Sequence, residues 1–154
     1  MSLDSVKKHL KEYNLEKNII HDDNSTATVE EAAIALGCRP KDIAKTMAFD
    51  VDGKTIVIVV AGDKKIDNSK YKGYFHKKAK MLAAEEVEPR TSHLLGGVCP
   101  FGLPDNVEVY LDKSLKEFEF VYPAAGTPHD AVKITIEDLE KVTNHPEWID
   151  VVKD

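Results

Sequence analysis

Residues 45–61 read KTMAFDVDGKTIVIVVA and contain the strongest fold signal in the chain. The first part, 45–51, alternates in hydropathy, and the second part, 55–61, is a nearly continuous run dominated by β-branched residues. Between them, Asp52-Gly53 is a two-residue pair typical of hairpin turns. Because a two-residue turn can join only antiparallel neighbours, the stretch predicts an antiparallel hairpin.

Helical and strand signals alternate irregularly on either side of this hairpin. Thr28 and Glu31 fit a capping box, and Gly37 suits the residue after a helix end, so a helix over 29–36 is predicted. The patterns predict further helices over 3–13, 68–75, 84–88, 113–118 and 137–143, and strands over 18–21, 107–111, 119–123 and 131–136. We find no regular βαβ rhythm, repeat or flexible linker, and therefore predict one mixed α/β domain over residues 1–154 with a largely antiparallel sheet.

Composition excludes several classes of protein. The chain has 154 residues, a net charge of −6 and 2 cysteines, which argues against a disulfide framework and against a protein that coats nucleic acid. The longest apolar run, Ile56–Ala61, is too short to span a membrane, and residues 1–4 do not resemble a secretory signal. We therefore expect a cytoplasmic protein without a membrane partner.

Charge is unevenly distributed along the chain. Between Lys64 and Lys80 there are seven lysines and one acidic residue, Asp67. This segment could bind one end of a polyanion, or it could be an ordinary solvated face, and charge alone favours the second interpretation.

Lys45 is the most informative single position. In the predicted strand it shares a face with Met47 and Phe49, so an ammonium group points along an apolar face. A buried lysine is costly unless an anion or dipole compensates it, and such groups are site candidates. A lysine that extends to solvent at the strand end is the equally plausible alternative.

Two glycine-containing segments are weaker candidates for a binding site. The loop Gly96-Gly97-Val98-Cys99-Pro100-Phe101-Gly102 could bring its backbone close to a ligand, or it could be a tight connection that binds none. In the turn 124–130, which contains Gly126, His129 could orient a substrate or act as a base, although an ordinary surface histidine is the commoner case. A small buried cysteine is the better interpretation of Cys99, although a nucleophilic thiol is the alternative. The histidine and cysteine spacings do not suggest a metal site.

The order of these features resembles the YbaK/ProX family, whose members are similar to the editing domain inserted in bacterial prolyl-tRNA synthetases. The resemblance rests on the segments STATVE (25–30), IAKT (43–46), AGD (61–63) and GVCPFG (97–102), and it covers roughly residues 3–150. It implies a barrel-like sheet surrounded by helices and a free-standing aminoacyl-tRNA deacylase that needs no cofactor.

The resemblance also implies roles for individual residues. Lys45 matches the essential lysine of the family, which holds the terminal nucleotide and stabilises developing negative charge. The loop positions Gly96, Gly97, Val98 and Pro100 match the segment that contacts the aminoacyl group, and Gly126 and His129 fall in the turn that lines the amino-acid pocket. Thr46, Ala27 and His129 are the positions expected to select among alanine, cysteine, serine and threonine.

The expected partner is the 3′ CCA end of a tRNA, contacted through Lys64, Lys65 and Lys72, and an aminoacyl-tRNA synthetase is a further candidate partner. Two alternatives remain open from the sequence. One is a binding module that kept the fold and lost hydrolysis, which the presence of Lys45 disfavours. The other is a hydrolase that depends on Cys99.

Overall fold

The computed structural model describes residues 2–154, with side chains from residue 3 onward, so Met1 of the predicted domain lies outside the described residues. The helices are α1 (Ser2–Lys11), α2 (Val29–Leu36), α3 (Asn68–Phe75), α4 (Ala84–Thr91) and α5 (Ile136–Val142). The strands are β1 (Ile19–His21), β2 (Ile43–Val51), β3 (Lys54–Ala61), β4 (Glu108–Asp112), β5 (Phe120–Pro123), β6 (Asp130–Val132), β7 (Ile134–Thr135) and β8 (Trp148–Ile149). Short 3₁₀ turns cover Glu16–Asn18, Pro40–Asp42 and Lys113–Glu117.

The predicted hairpin is the centre of the sheet. β2 and β3 are antiparallel from Ala44–Ala61 to Val51–Lys54, and they occupy the middle of a six-stranded sheet in the order β7-β5-β2-β3-β4-β8. β5 lies parallel to β2, β4 parallel to β3 and β8 parallel to β4, while β1 and β6 form a separate antiparallel pair. The mixed α/β class is therefore confirmed, as a curled half-barrel sheet with five helices among residues 2–154.

Both faces of the central strands are buried, which explains the continuous β-branched run in β3. Val59 packs in a core with residues of α1 and α5, including Leu10 and Leu139. Ile58 and Val60, on the opposite face, pack with Phe49 of β2 and Tyr71 of α3. A strand covered on both faces has no position that favours a polar side chain.

Several predicted boundaries change. Residues 113–118, predicted as an α-helix, form a 3₁₀ turn over Lys113–Glu117. The predicted strand over 131–136 divides into β6, which pairs with β1, and β7, which pairs with β5. The opening helix ends at Lys11, and α4 continues through Pro89 to Thr91 instead of ending at 88. None of the helices within residues 2–154 is long and apolar enough to cross a membrane.

Candidate active site

A cavity of about 260 Å³ lies where β5 separates from β2. β5 pairs with β2 only at Ile43 and Ala44, and the next bridge on that side joins Phe49 to Met81. The intervening residues 45–48 form one wall of the cavity. Its other walls come from α2, from α4 and the segment before it, from the glycine loop 96–102 and from the end of β5. In that order, the residues that these elements contribute include Val29, Ala32 and Leu36, then Leu82 and Val87, then Val98, and finally Tyr122 and Ala124.

The lining is mostly apolar. No Asp, Glu, His or Cys side chain is among the described residues that line this cavity, and Lys45 is its one cation. The volume lies just below the ~300–1,000 Å³ of pockets for drug-sized ligands, so the cavity suits a group of about amino-acid size.

Lys45 places a half-buried ammonium at this cavity. Its Nζ donates a hydrogen bond to the carbonyl oxygen of Lys64 at 2.6 Å, and within residues 3–154 no carboxylate lies at ion-pairing distance. Burial, followed by the positive charge of Lys65, lowers the pKa of the Lys45 ammonium below its usual value, and the acidic Asp63 and Glu30 offset part of this effect. The cation is thus incompletely compensated, and an anionic group in the cavity would be stabilised by it.

The end of β3 holds the acceptor of this lysine in place. Gly62 follows β3 and packs against the 3₁₀ turn before β2, where an added Cβ would lie 2.2 Å from the carbonyl oxygen of Pro40. The chain then turns so that the Lys64 N–H donates to the Ala61 carbonyl at 3.0 Å. This compact turn aims the Lys64 carbonyl at Lys45 Nζ.

Ala27 and the neighbouring Thr26 line the cavity beside α2. The Thr26 N–H donates to the Pro128 carbonyl at 2.6 Å, and the Thr28 side chain caps α2 by accepting from the Glu31 N–H. This local geometry follows from the helix start that the sequence predicted. The sequence did not predict Thr26 as a site residue. Its position next to Ala27, in the segment 25–30, is the sequence feature that could have indicated it.

The glycine loop divides between the cavity and the packing behind it. Gly96 and Val98 line the cavity, and Gly96 has a φ of +85° and packs so closely on Ala27 that a Cβ would lie 2.8 Å from the Ala27 Cβ. Gly97 faces the turn 126–127 instead, where its carbonyl accepts from the Gly126 N–H at 2.9 Å. The loop therefore contributes one wall and the support of that wall.

The structure brings together five of the nine residues expected to bind or act on the substrate. Lys45, Thr46, Ala27, Gly96 and Val98 line the cavity, whereas Gly97, Pro100, Gly126 and His129 do not. Pro100 borders a separate depression next to α1.

His129 supports the turn next to the site. Its Nδ1 lies 3.2 Å from the carbonyl oxygens of both Asp22 and Asn24, so this nitrogen carries the proton and donates. The contact ties the turn 124–130 to the segment that carries Thr26.

Cys99 is an inaccessible thiol. Its side chain is fully buried, and its Sγ lies 3.4 Å from His93 Nε2 and 3.6 Å from the Phe101 carbonyl oxygen. Burial raises the pKa of the Cys99 thiol to about 12, so the reactive thiolate is disfavoured. This geometry argues against the Cys99-dependent hydrolase. No set of three His, Cys, Asp or Glu side chains within residues 3–154 is arranged to hold a metal ion.

The lysine-rich segment is only partly neutralised. Lys70 binds Asp150, Asp154 and the Val152 carbonyl, and Lys77 binds Asp52. Among residues 3–154, no ion pair is found for Lys64, Lys65 or Lys72. The positive charge of Lys65 is close enough to Lys45 to lower the pKa of the Lys45 ammonium. Part of the segment thus adds positive charge beside the cavity, while Lys72 lies on α3.

Comparison with known proteins identifies the family. The profile of the aminoacyl-tRNA editing domain matches residues 23–142, and the chain belongs to this family. It is 46% identical over 155 residues to the uncharacterized protein YwhH of Bacillus subtilis, covering 100% of this chain and 99% of that protein.

More distant relatives agree with the predicted resemblance. The chain is 29% identical over 126 residues to the proline–tRNA ligase of Bacillus licheniformis, a match that covers 75% of this chain and 22% of the ligase. A solved structure provisionally described as a trans-editing enzyme for prolyl tRNA synthetase superimposes with a TM-score of 0.88 at 26% identity, covering 99% of this chain and 98% of that one. The expected relationship to prolyl-tRNA synthetase editing domains is confirmed.

Proposed function

We propose that the protein hydrolyses the ester that joins a small, mischarged amino acid to the 3′-terminal adenosine of a tRNA. The observation that carries this proposal is the half-buried, incompletely compensated ammonium of Lys45 in a small apolar cavity of an aminoacyl-tRNA editing domain. The cavity would take the aminoacyl group, and its size would exclude large side chains. The domain would act in trans, on tRNA released by a synthetase.

The proposed reaction is a simple hydrolysis. Water adds to the ester carbonyl carbon, and the carbonyl oxygen becomes an oxyanion that the Lys45 ammonium stabilises. Collapse of this intermediate breaks the bond to the ribose oxygen, which takes up a proton, and releases free amino acid and tRNA. One donor aimed at a developing oxyanion contributes roughly 10²–10³ in kcat.

The absence of acid–base side chains from the described cavity lining agrees with substrate assistance. Since no Asp, Glu, His or Cys is present there, the vicinal ribose hydroxyl is the best available group to orient and activate the attacking water. The Lys45 ammonium would remain protonated throughout, because its task is to stabilise charge.

The partners follow from this chemistry. The 3′ CCA end of the tRNA would enter beside Lys64 and Lys65, with Lys72 further along the same segment. We place the protein in the cytoplasm, where aminoacyl-tRNA is used. An aminoacyl-tRNA synthetase is the proposed source of the mischarged substrate, in agreement with the relatives linked to prolyl-tRNA synthetase.

The test is release of labelled amino acid from a panel of tRNAs mischarged with alanine, cysteine, serine, threonine and proline. We expect selective turnover that produces free amino acid and intact tRNA. If a folded wild-type protein binds the tRNA and hydrolyses none of these esters, the non-catalytic binding module becomes the correct interpretation. Turnover that is lost in Cys99→Ser would instead restore the Cys99 mechanism.

A further inference from the structure

Part of one edge of β2 has no strand beside it. β5 pairs with this edge only at Ile43 and Ala44, and further along the Leu82 N–H donates to the Ala48 carbonyl at 3.1 Å. From Ala44 to Ala48 the edge extends roughly 13 Å, the length of four residues in a strand. The open stretch is therefore short, and paired backbone closes it at both ends.

The backbone of Thr46 points out of this open edge. The Ala48 carbonyl and the Asp50 N–H bond to the segment 80–82, so both residues direct their backbone groups away from β3. In an antiparallel ladder this orientation recurs at every second residue, and the register of β2 with β3 continues without a bulge along the whole hairpin. Thr46 therefore presents both its N–H and its C=O to the open edge, where neither has a partner within residues 3–154.

The cavity lies along this edge and not over one face of the strand. The four consecutive residues 45–48 all line it, although their side chains alternate between the two faces of β2. A space beside the edge can touch all four, whereas a space over one face cannot. Thr46 is partly exposed while its hydroxyl oxygen is inaccessible, so its exposed surface belongs to its other atoms.

We propose that the Thr46 backbone binds the α-amino acid unit of the substrate as one strand residue binds another: its C=O accepts from the α-ammonium group, and its N–H donates to the ester carbonyl oxygen. This inference rests on the proposed deacylase function. In a hydrogen-bonded antiparallel pair, two residues exchange both of these bonds. An aminoacyl ester carries its nitrogen and its carbonyl oxygen in the same arrangement as a strand residue.

The length of the open edge limits the occupant to one residue. Thr46 is the one residue of the open stretch that offers both a donor and an acceptor there, because the Ala48 carbonyl already bonds Leu82. The remaining N–H, that of Ala48, lies about 7 Å further along the strand and out of reach of the same group. A single amino acid fits this stretch, and a longer peptide strand does not.

The charges around the site are compatible with this placement. An ammonium group that donates to a carbonyl oxygen makes a charge-assisted hydrogen bond, which is roughly twice as strong as a neutral one. The negative charges of Asp63 and Glu30, which act on the Lys45 ammonium, reduce the cost of a second cation nearby. The Thr46 N–H is then a second donor to the oxygen that becomes the oxyanion, beside the Lys45 ammonium.

The first measurement is the affinity of the wild-type protein for the alanyl and propionyl amides of 3′-amino-3′-deoxyadenosine, which resist ester hydrolysis. The two probes differ only in the α-ammonium group, so the ratio of their affinities reports the bond to the Thr46 carbonyl. We expect the alanyl amide to bind at least about 10-fold more tightly. Equal binding, tighter binding of the propionyl amide, or no binding of either probe would overturn the inference.

The second measurement removes the Thr46 N–H and keeps the side chain. Incorporating the α-hydroxy acid counterpart of threonine at position 46 replaces the backbone amide by an ester, and the affinity for the alanyl amide should fall roughly 5-fold or more. The matched control is the same replacement at Thr55, a buried threonine of β3 that does not line the cavity, and its affinity should equal that of wild type. An unchanged affinity at position 46, or an equal loss at both positions, would contradict the role of the Thr46 N–H.

These binding measurements separate failure of this inference from failure of the proposed function, because they do not depend on hydrolysis. The expected affinities in a protein that hydrolyses no aminoacyl ester would refute only the deacylase. Hydrolysis by a protein that binds the two amides equally would refute only the role of the Thr46 backbone.

Discussion

Replacing Gly97 with alanine tests the packing that supports the cavity wall. An added Cβ would lie 2.3 Å from the Thr127 backbone nitrogen and 2.4 Å from the Gly126 carbonyl carbon. Because ordinary contact begins near 3.4 Å, the loop and the turn 126–127 must separate by about 1 Å. The clashing atoms are backbone, so no side-chain rotation can relieve the overlap.

The expected cost follows from the contacts that such a separation disturbs. The Gly126 N–H donates to the Gly97 carbonyl at 2.9 Å, and the Leu94 N–H donates to the Gly126 carbonyl at 3.1 Å. Two backbone hydrogen bonds contribute roughly 1–3 kcal/mol together, and with lost packing the free energy of unfolding should fall by about 2–4 kcal/mol. For a chain of this length that lowers Tm by roughly 5–15 °C.

Thermal and urea unfolding followed by circular dichroism measures this effect. Gly73→Ala is the matched control, because Gly73 lies in α3 and an added Cβ there would meet nothing within 4 Å, so alanine should be neutral or stabilising by up to about 1 kcal/mol. Gly97→Ala should also lower the rate of deacylation more than the affinity for tRNA, because Gly96 and Val98, which line the cavity, would move. A Gly97→Ala protein as stable as wild type would refute the packing argument.

Three further results are expected. Thiol alkylation of the native protein should leave Cys99 unmodified, and rapid inactivation by modification of Cys99 would contradict its inaccessible position. Burial lowers the pKa of His93 below its usual value of 6.5, so between these two pKa values the unfolded state binds more protons than the folded state. The free energy of unfolding of the wild type should therefore fall as pH drops below about 6.5. His93→Gln should flatten this pH dependence, and an unchanged slope would exclude His93 as its source. Charge reversal at Lys64, Lys65 and Lys72 should raise KM for tRNA at low salt and weaken the salt dependence, whereas an unchanged KM and salt dependence would mean that these lysines are only a solvated face.

Local signals account for the parts of the fold that the sequence predicted. The β2–β3 hairpin and the α2 caps depend on neighbouring residues, and the structure shows both, with the Thr28 side chain accepting from the Glu31 N–H and Gly37 in the left-handed conformation. The parallel pairing of β3 with β4 joins segments almost fifty residues apart, and no local pattern specifies it. The two-residue strand β8 is too short to produce a periodic signal.

The candidate site shows the same division between local and distant information. Lys45 could be singled out because a charged residue at the start of an apolar alternation is visible in the sequence. Thr26 could not, since its place in the lining depends on the contact of residues 22–28 with the turn 124–130, which includes the Pro128 carbonyl. Gly97 and Gly126 were expected to contact the ligand, but they pack against each other and neither is in the cavity lining.

The central claim is that the Lys45 ammonium accelerates ester hydrolysis in this cavity. Its most direct test is the single-turnover rate of deacylation by wild type, Lys45→Met and the control Lys11→Met, which replaces an exposed lysine of α1 that is not part of the lining. We predict a fall of roughly 10²–10³ for Lys45→Met, with Tm close to that of wild type, and an unchanged rate for Lys11→Met. A Lys45→Met protein that is folded and hydrolyses its substrate at the wild-type rate would contradict the assignment of this site.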